Sequence, residues 1–154
     1  MDYCLAGLSE ARKIAELRWT SHTEDGESFK ETYEEYIRRT MDFVAKGINE
    51  KSWYYWVAKK EDLILGVIAI FVFERIPAPG RLHAYNGYIT NVYVRKGYRN
   101  KGIGKDLITR VKKWAEELRI NVLMLYSSYE AIAFYRREGF STNNEFFNLI
   151  LDDE

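Results

Sequence analysis

The stretch N-V-Y-V-R-K-G-Y-R-N-K-G-I-G-K-D-L, residues 91–107, decides how this chain is read. A short β-prone run enters a basic, glycine-bearing turn, and the turn opens a helix. Arg99, Gly102 and Gly104 form an R-x-x-G-x-G at the switch. Such a loop exposes backbone N–H groups at the positive end of a helix and so suits a phosphorylated ligand. The same glycines would also serve a plain bend and cap, so the flanking chain has to separate the two readings.

Outward from the turn the chain alternates strands and helices. Residues 102–118 form the clearest helix, with Ile103, Leu107, Ile108, Val111, Trp114, Ala115 and Leu118 at core-facing spacing. Residues 85–94 precede it as a strand, and residues 53–59 and 63–73 read as an antiparallel hairpin turning at Glu61-Asp62. Upstream lie a short strand over residues 3–6, a helix over 9–20 and a polar loop over 23–28. A second helix is expected over residues 29–46, with Phe29, Tyr33, Tyr36, Ile37 and Phe43 as an aromatic stripe and Gly47-Ile48-Asn49 as its end. Downstream, residues 122–126 read as a buried strand and 129–138 as a short helix stopped by Gly139. Residues 140–151 fit a terminal hairpin through Thr142-Asn143-Asn144. The expected order is β-α-α-β-β-β-α-β-α-β-β, which packs as a mixed sheet covered by helices. Three strands precede the glycine turn without intervening helices, so the chain is not a doubly wound nucleotide fold. The G-x-x-x-x-G-K phosphate loop is also absent.

Composition bounds the function. The 154 residues suffice for one domain, 1–154, and 47% apolar with 16% aromatic residues exclude a disordered chain. Lysine plus arginine and aspartate plus glutamate both total 23, and no basic stripe or reader module points to nucleic acid. The charges are unevenly placed. Residues 95–113 hold eight bases against one acid, whereas residues 1–50 hold eleven acids against seven bases. A phosphate-bearing ligand at the first region and a cationic one near the second suit that asymmetry. Cys4 is the lone cysteine, which leaves no internal disulfide and no thiolate metal site. The longest apolar run, residues 63–73, is too short for a membrane span, and no targeting segment is recognisable, so a cytoplasmic protein is expected.

Two motifs in order carry a resemblance. Arg99-Asn100-Lys101-Gly102-Ile103-Gly104 follows a strand, and Ala131-Ile132-Ala133-Phe134-Tyr135-Arg136-Arg137-Glu138-Gly139-Phe140 follows downstream. With them the chain resembles the Gcn5-related N-acetyltransferase (GNAT) superfamily over almost its whole length. The resemblance implies an α/β domain (α+β in some schemes) with a mixed, mostly antiparallel sheet flanked by helices. It implies acetyl-CoA as cosubstrate, an amine as acceptor and no metal. The backbone of Val92, Tyr93 and Val94 would pair with the pantetheine amides, and residues 99–104 would cradle the pyrophosphate. Arg99 and Lys101 would add charge there. Tyr135 is the implied general acid, donating to the thiolate that leaves the thioester.

Two positions depart from the family pattern. Tyr88 stands where histone-type members carry a glutamate base, and a phenol with a pKa near 10 is a poor base. Glu24, Asp25, Glu27 and His22 are substitute candidates. Ser128 stands where many relatives have an asparagine that contacts the cofactor arm, and its hydroxyl would make one such bond or cap the helix. For the acceptor, Trp19, His22, Phe29, Tyr33 and Tyr36 are candidate pocket walls, with Glu24 and Tyr88 beside them, and His83 is a further candidate. Aromatic walls beside acids suit a cationic or partly apolar amine. A small-molecule amine is the leading acceptor. A protein α-amine or lysine, and a non-catalytic acyl-CoA-binding module, are the alternatives. Phe146, Phe147, Leu149, Ile150 and Leu151 form a very apolar end, from which a homodimer through the terminal hairpin or the second helix is expected.

Overall fold

The computed structural model describes residues 1–142 and 146–152. Strand β1 spans Asp2–Leu5 and is followed by a 3₁₀ turn, Leu8–Glu10, then helix α1, Ala11–Thr23. Helix α2 spans Tyr33–Glu50, and strands β2, β3 and β4 span Trp53–Lys60, Leu63–Glu74 and Tyr85–Val94. Helix α3 covers Ile103–Glu117, β5 covers Val122–Leu125, and α4 covers Ile132–Arg137 after a 3₁₀ turn at Tyr129–Ala131. The sheet order is β1-β2-β3-β4-β5, antiparallel throughout except for the parallel β4–β5 pair. A mixed, mostly antiparallel sheet flanked by helices was expected, and this is that fold. Among the described residues no helix is long and apolar enough to cross a membrane.

Both faces of the sheet are covered, which is why β3 is apolar almost from end to end. On one face Leu65, Ile68, Ile70 and Ile89 pack under Leu107, Ile108, Val111 and Trp114 of α3, with Tyr135 of α4 in the same core. On the other, Val57, Ile64, Val67 and Ala69 meet Ile14 and Leu17 of α1 and Val44 of α2. Leu65 is an extra residue opposite the Ala58/Lys59 step, and this bulge switches which face successive β3 side chains enter.

The structure corrects three expectations. Helix α2 begins at Tyr33, not at residue 29, because Thr32 and Glu35 form a reciprocal capping box: Glu35 N–H donates to the Thr32 hydroxyl and Thr32 N–H to the Glu35 carboxylate. Gly47 does not end the helix, which runs to Glu50 and closes on Lys51 in the left-handed region at φ 54°. The terminal hairpin is not formed by the described residues. Phe140–Thr142 and Phe146–Asp152 carry no strand assignment, and Asn143 and Asn144 lie outside the described residues. Phe147, Leu149 and Leu151 are 89, 82 and 88% exposed. β5 is a four-residue strand at the edge of the sheet, and among the described residues no strand is assigned beside its outer edge.

Gly47 has a packing role instead. A Cβ there would stand 2.6 Å from the Cβ of Trp53, where α2 crosses the start of β2. Gly47→Ala is therefore expected to destabilise the fold by about 1–3 kcal/mol despite alanine's better helix propensity. Urea unfolding checks this, and a variant as stable as wild type or more so would contradict the close approach.

Candidate active site

β4 and β5 pair only from Asn86↔Val122 to Ile89↔Leu125. Beyond that point β4 continues for five residues while the chain after β5 turns away toward α4. The far end of β4 therefore keeps its β3 partners, Ala69↔Thr90, Val67↔Tyr93 and Gly66↔Val94, but has no strand on its other edge. The β3–β4 register shifts by one residue between Val67 and Ala69, so β4 bulges around Asn91. Asn91 takes a left-handed φ of 50°, a conformation asparagine tolerates better than most residues.

The gap left by this divergence is a cleft of about 1270 Å³. It exceeds the roughly 300–1,000 Å³ typical of pockets for drug-sized ligands, as a long, extended ligand requires. One wall is β4 from Tyr88 to Val94, the floor is the start of α3, and the opposite wall holds Leu125, Tyr126, Ser128, Phe134 and Tyr135. Ser128 precedes the 3₁₀ turn with extended backbone and makes no side-chain cap hydrogen bond. Its hydroxyl is therefore free for the cleft and is not occupied in capping.

The glycine turn forms one end of the cleft. Asn100 and Gly102 both sit in the left-handed region, at φ 61° and 84°, and Gly102 is the N-cap of α3. The N–H of Asp106 is the first to return to the helix, bonding Gly102 O, which leaves the preceding first-turn N–H groups without intrahelical partners. Gly104 is informative for a different reason. A Cβ there would meet only Phe134 Cζ, at an ordinary 3.8 Å, so the protein's own packing does not require glycine. The room it leaves belongs to the cleft. Arg99, Asn100 and Lys105 also line this end, whereas Lys101 extends its ammonium over the Tyr98 ring at 5.6 Å and is not among the lining residues.

Glu24, at the C-cap of α1, ties the turn to the helices on the other face. Its carboxylate accepts from the Tyr93 hydroxyl at 2.5 Å and from Arg99 at 2.7 Å. Arg99 Nε also donates to Val94 O at 2.8 Å, and its guanidinium lies 5.3 Å from the Tyr93 ring centroid. Lys96 pairs with Asp25 at 3.2 Å. The hydrogen bond from Tyr93, followed by Arg99, holds the Glu24 carboxyl below its ordinary pKa. Burial and that same bond push Tyr93 up to about 12. Glu24 is thus a structural anion bound to the turn, and a weak base at neutral pH. The acids of the first fifty residues in part neutralise the basic turn, a pairing that charge counts along the chain do not reveal.

Tyr135 sits in the core of α4 against Phe134 and Phe140, with ring centroids at 5.1 and 5.7 Å, and reaches the cleft wall. It is 8% exposed, and burial raises its pKa above the usual tyrosine value. The phenol therefore keeps its proton at neutral pH.

A second cavity of about 290 Å³ opens on the opposite face of the sheet, between α1, α2 and the strands. It shares Tyr88, Thr90 and Asn91 with the cleft, and is otherwise walled by Ile14, Arg18, Thr40, Phe43, Val44, Trp53, Tyr55 and Ala69. Of the acceptor candidates read from the sequence, Tyr88 is the one in this wall. Trp19 instead packs with Phe29, Tyr33 and Tyr36 at centroid distances of 6.3, 5.6 and 5.3 Å, and His22 packs on Phe29 at 6.5 Å. None of these five lines either cavity. The amphipathic stripe signalled helix contact, and the structure spends most of it on α1–α2 packing. Arg18 and Asn91 had no sequence motif to mark them, and only the bulge brings them together.

The acetyltransferase (GNAT) family model matches residues 11–140. The chain is 21% identical, at a TM-score of 0.82, to a predicted acetyltransferase from Clostridium acetobutylicum solved with acetyl-CoA, covering 97% of this chain and 96% of that one. It is 24% identical, at a TM-score of 0.78, to a GCN5-related N-acetyltransferase from Ralstonia eutropha, covering 98% and 99%. These likenesses show a shared fold. Over 76 residues it is 36% identical to an L-ornithine N5-acetyltransferase from Arabidopsis thaliana, covering 47% of this chain and 33% of that protein. Over 63 residues it is 33% identical to a histone acetyltransferase from Glycine max, covering 41% and 27%. The matches span about a quarter to a half of the length of these curated relatives. The match to the family model over most of the chain, on a sheet that splays where its glycine turn begins, shows that the chain belongs to the acetyltransferase (GNAT) family.

Proposed function

We propose that this chain is an N-acetyltransferase that moves the acetyl group of acetyl-CoA to the primary amine of a small molecule by direct attack. The GNAT family uses acetyl-CoA as its cosubstrate. The observation that carries the reading is one continuous wall, in which the unpaired edge of β4 runs into the glycine turn and faces Tyr135. The open edge at Val92, Tyr93 and Val94 would accept the pantetheine arm as an added strand. The diphosphate would meet the first-turn N–H groups of α3 at Gly102, Ile103 and Gly104, with Arg99 and Asn100 around it. Ser128 would bond the arm from the facing wall.

Acetyl-CoA supplies an activated acyl carbon and a thiol leaving group. Tyr135 retains its proton because burial disfavours the phenolate, and it donates that proton to the departing sulfur. The polar β4 edge near the bulge polarises the carbonyl. The second cavity contains no carboxylate or imidazole, so the amine's proton passes to water and no residue there acts as general base. A cavity of about 290 Å³ admits a small molecule more readily than a folded polypeptide segment.

Two measurements follow. Gly104→Ala is expected to leave thermal stability unchanged or slightly raised, since its Cβ meets no close protein atom, while weakening acetyl-CoA binding at least about tenfold by occupying the phosphate end. Calorimetry that finds an unchanged Kd in the folded variant would contradict the placement. Tyr135→Phe should keep acetyl-CoA affinity and lower kcat about ten- to a thousandfold. In the wild type the alkaline fall in rate should be centred above the ordinary tyrosine range, because burial makes the folded phenol ionise later than a free one, and it should vanish in the variant. An unchanged kcat would remove Tyr135 as the proton donor.

A further inference from the structure

The second cavity is mostly apolar, its polar lining being the neutral side chains of Thr40, Tyr55, Tyr88, Thr90 and Asn91 and one cation. Ile14, Val44, Ala69, Phe43 and Trp53 supply its hydrophobic surface, and Arg18 enters from α1. Arg18 is half-buried, and one of its terminal nitrogens donates to Asn91 Oδ1 at 3.0 Å. Among the described residues no salt bridge joins it to a carboxylate. The groups around it are uncharged at neutral pH. Tyr55 is pushed up to about 12 by burial, and the pKa of His22 is lowered by burial and then by Arg18 itself. Glu16, the nearest acid along the chain, is paired with Arg12, and Glu24 and Asp25 are engaged with Tyr93, Arg99 and Lys96.

A guanidinium carries five donors in a planar fork that matches a carboxylate. Held beside an apolar cavity with one neutral acceptor, it favours an anionic ligand and disfavours a second cation. The bond to Asn91 also fixes where that anion would sit. Asn91 is the bulge residue and belongs to the walls of both cavities, so a carboxylate on Arg18 lies at the junction where the donor cleft meets the acceptor cavity. An amine on the neighbouring carbon is then at the junction as well, with room behind it for an apolar group.

Building on the acetyl-transfer reading above, we propose that the acceptor is a free α-amino acid with an apolar side chain. Its carboxylate binds Arg18, its side chain fills the cavity lined by Phe43, Val44 and Trp53, and its α-amine faces Thr90 and Asn91. The ammonium first loses one proton to water. The amine nitrogen then forms the new bond to the acyl carbon and loses a second proton to water, the carbon–sulfur bond breaks, the sulfur takes the Tyr135 proton, and water reprotonates Tyr135, so one proton is released overall. A polyamine would place positive charge against Arg18. The α-amine of a polypeptide would offer it a neutral amide in place of a carboxylate.

The test is acetylation kinetics with matched series of leucine, methionine and phenylalanine, each beside its carboxamide and its decarboxylated amine. At least one amino acid should be used with a kcat/KM about ten- to a hundredfold above its carboxamide, through KM. Arg18→Met should erase that preference with an unchanged Kd for acetyl-CoA, and Arg18→Lys should keep part of it, which separates charge from misfolding. Carboxamides or decarboxylated amines used as well as the acids, a preference that survives Arg18→Met, or no turnover of any amino acid would each overturn the proposal. Acetyl-CoA binding with transfer to spermidine or a peptide amine in the same assay would leave acetyl transfer standing while this inference fell. Absence of both acetyl-CoA binding and any transfer would bring down the acetyl-transfer reading itself.

Discussion

The structure depends on the point where β4 and β5 part company. The parallel pairing stops at Leu125, where β5 ends, while β4 runs on for five more residues and the chain after β5 turns away. Unpaired backbone in a protein interior is costly unless water or a ligand satisfies it. The divergence is tolerated because it opens onto a cleft, and the bulge at Asn91 twists β4 so that its last residues still pair with β3. Every other element of the site is arranged around that opening. α3 begins at its mouth, α4 lines its far wall, and α1 and α2 close the sheet's other face.

The opening also brings the two faces of the sheet to one set of residues. Tyr88, Thr90 and Asn91 wall both the cleft on the α3–α4 face and the smaller cavity on the α1–α2 face. A closed sheet would keep those faces apart. The ion pairs and hydrogen bonds from Glu24 and Asp25 to Arg99, Tyr93 and Lys96 hold the end of α1 against the glycine turn. The glycine turn and the α1–α2 face are therefore mechanically linked through a single helix terminus.

Much of this was legible in the sequence because it rests on local signals. Periodicity over residues 102–118 and the R-x-x-G-x-G turn placed α3 within a residue at each end, and the strand at 85–94 matches β4. The misses have physical causes. A glycine in an amphipathic run reads as a stop, but Gly47 is there to admit Trp53, a contact that depends on β2. The capping box at Thr32–Glu35 was a local signal outweighed by the pull of Phe29 as a stripe residue. An apolar terminal run reads as a strand by propensity alone, but propensity does not supply a partner strand, and no strand is assigned to its described residues. The acceptor side was least legible: Arg18 and Asn91 are 73 positions apart, and only tertiary geometry joins them.

The central claim is that the open edge of β4 and the start of α3 together form the acetyl-CoA site. Amide hydrogen exchange with and without acetyl-CoA tests it most directly. Protection on adding acetyl-CoA is predicted for the fast-exchanging amides within residues 92–94 and 102–105, with β1 and β2 unaffected. Protection confined to other segments, with these amides exchanging as before, would contradict it.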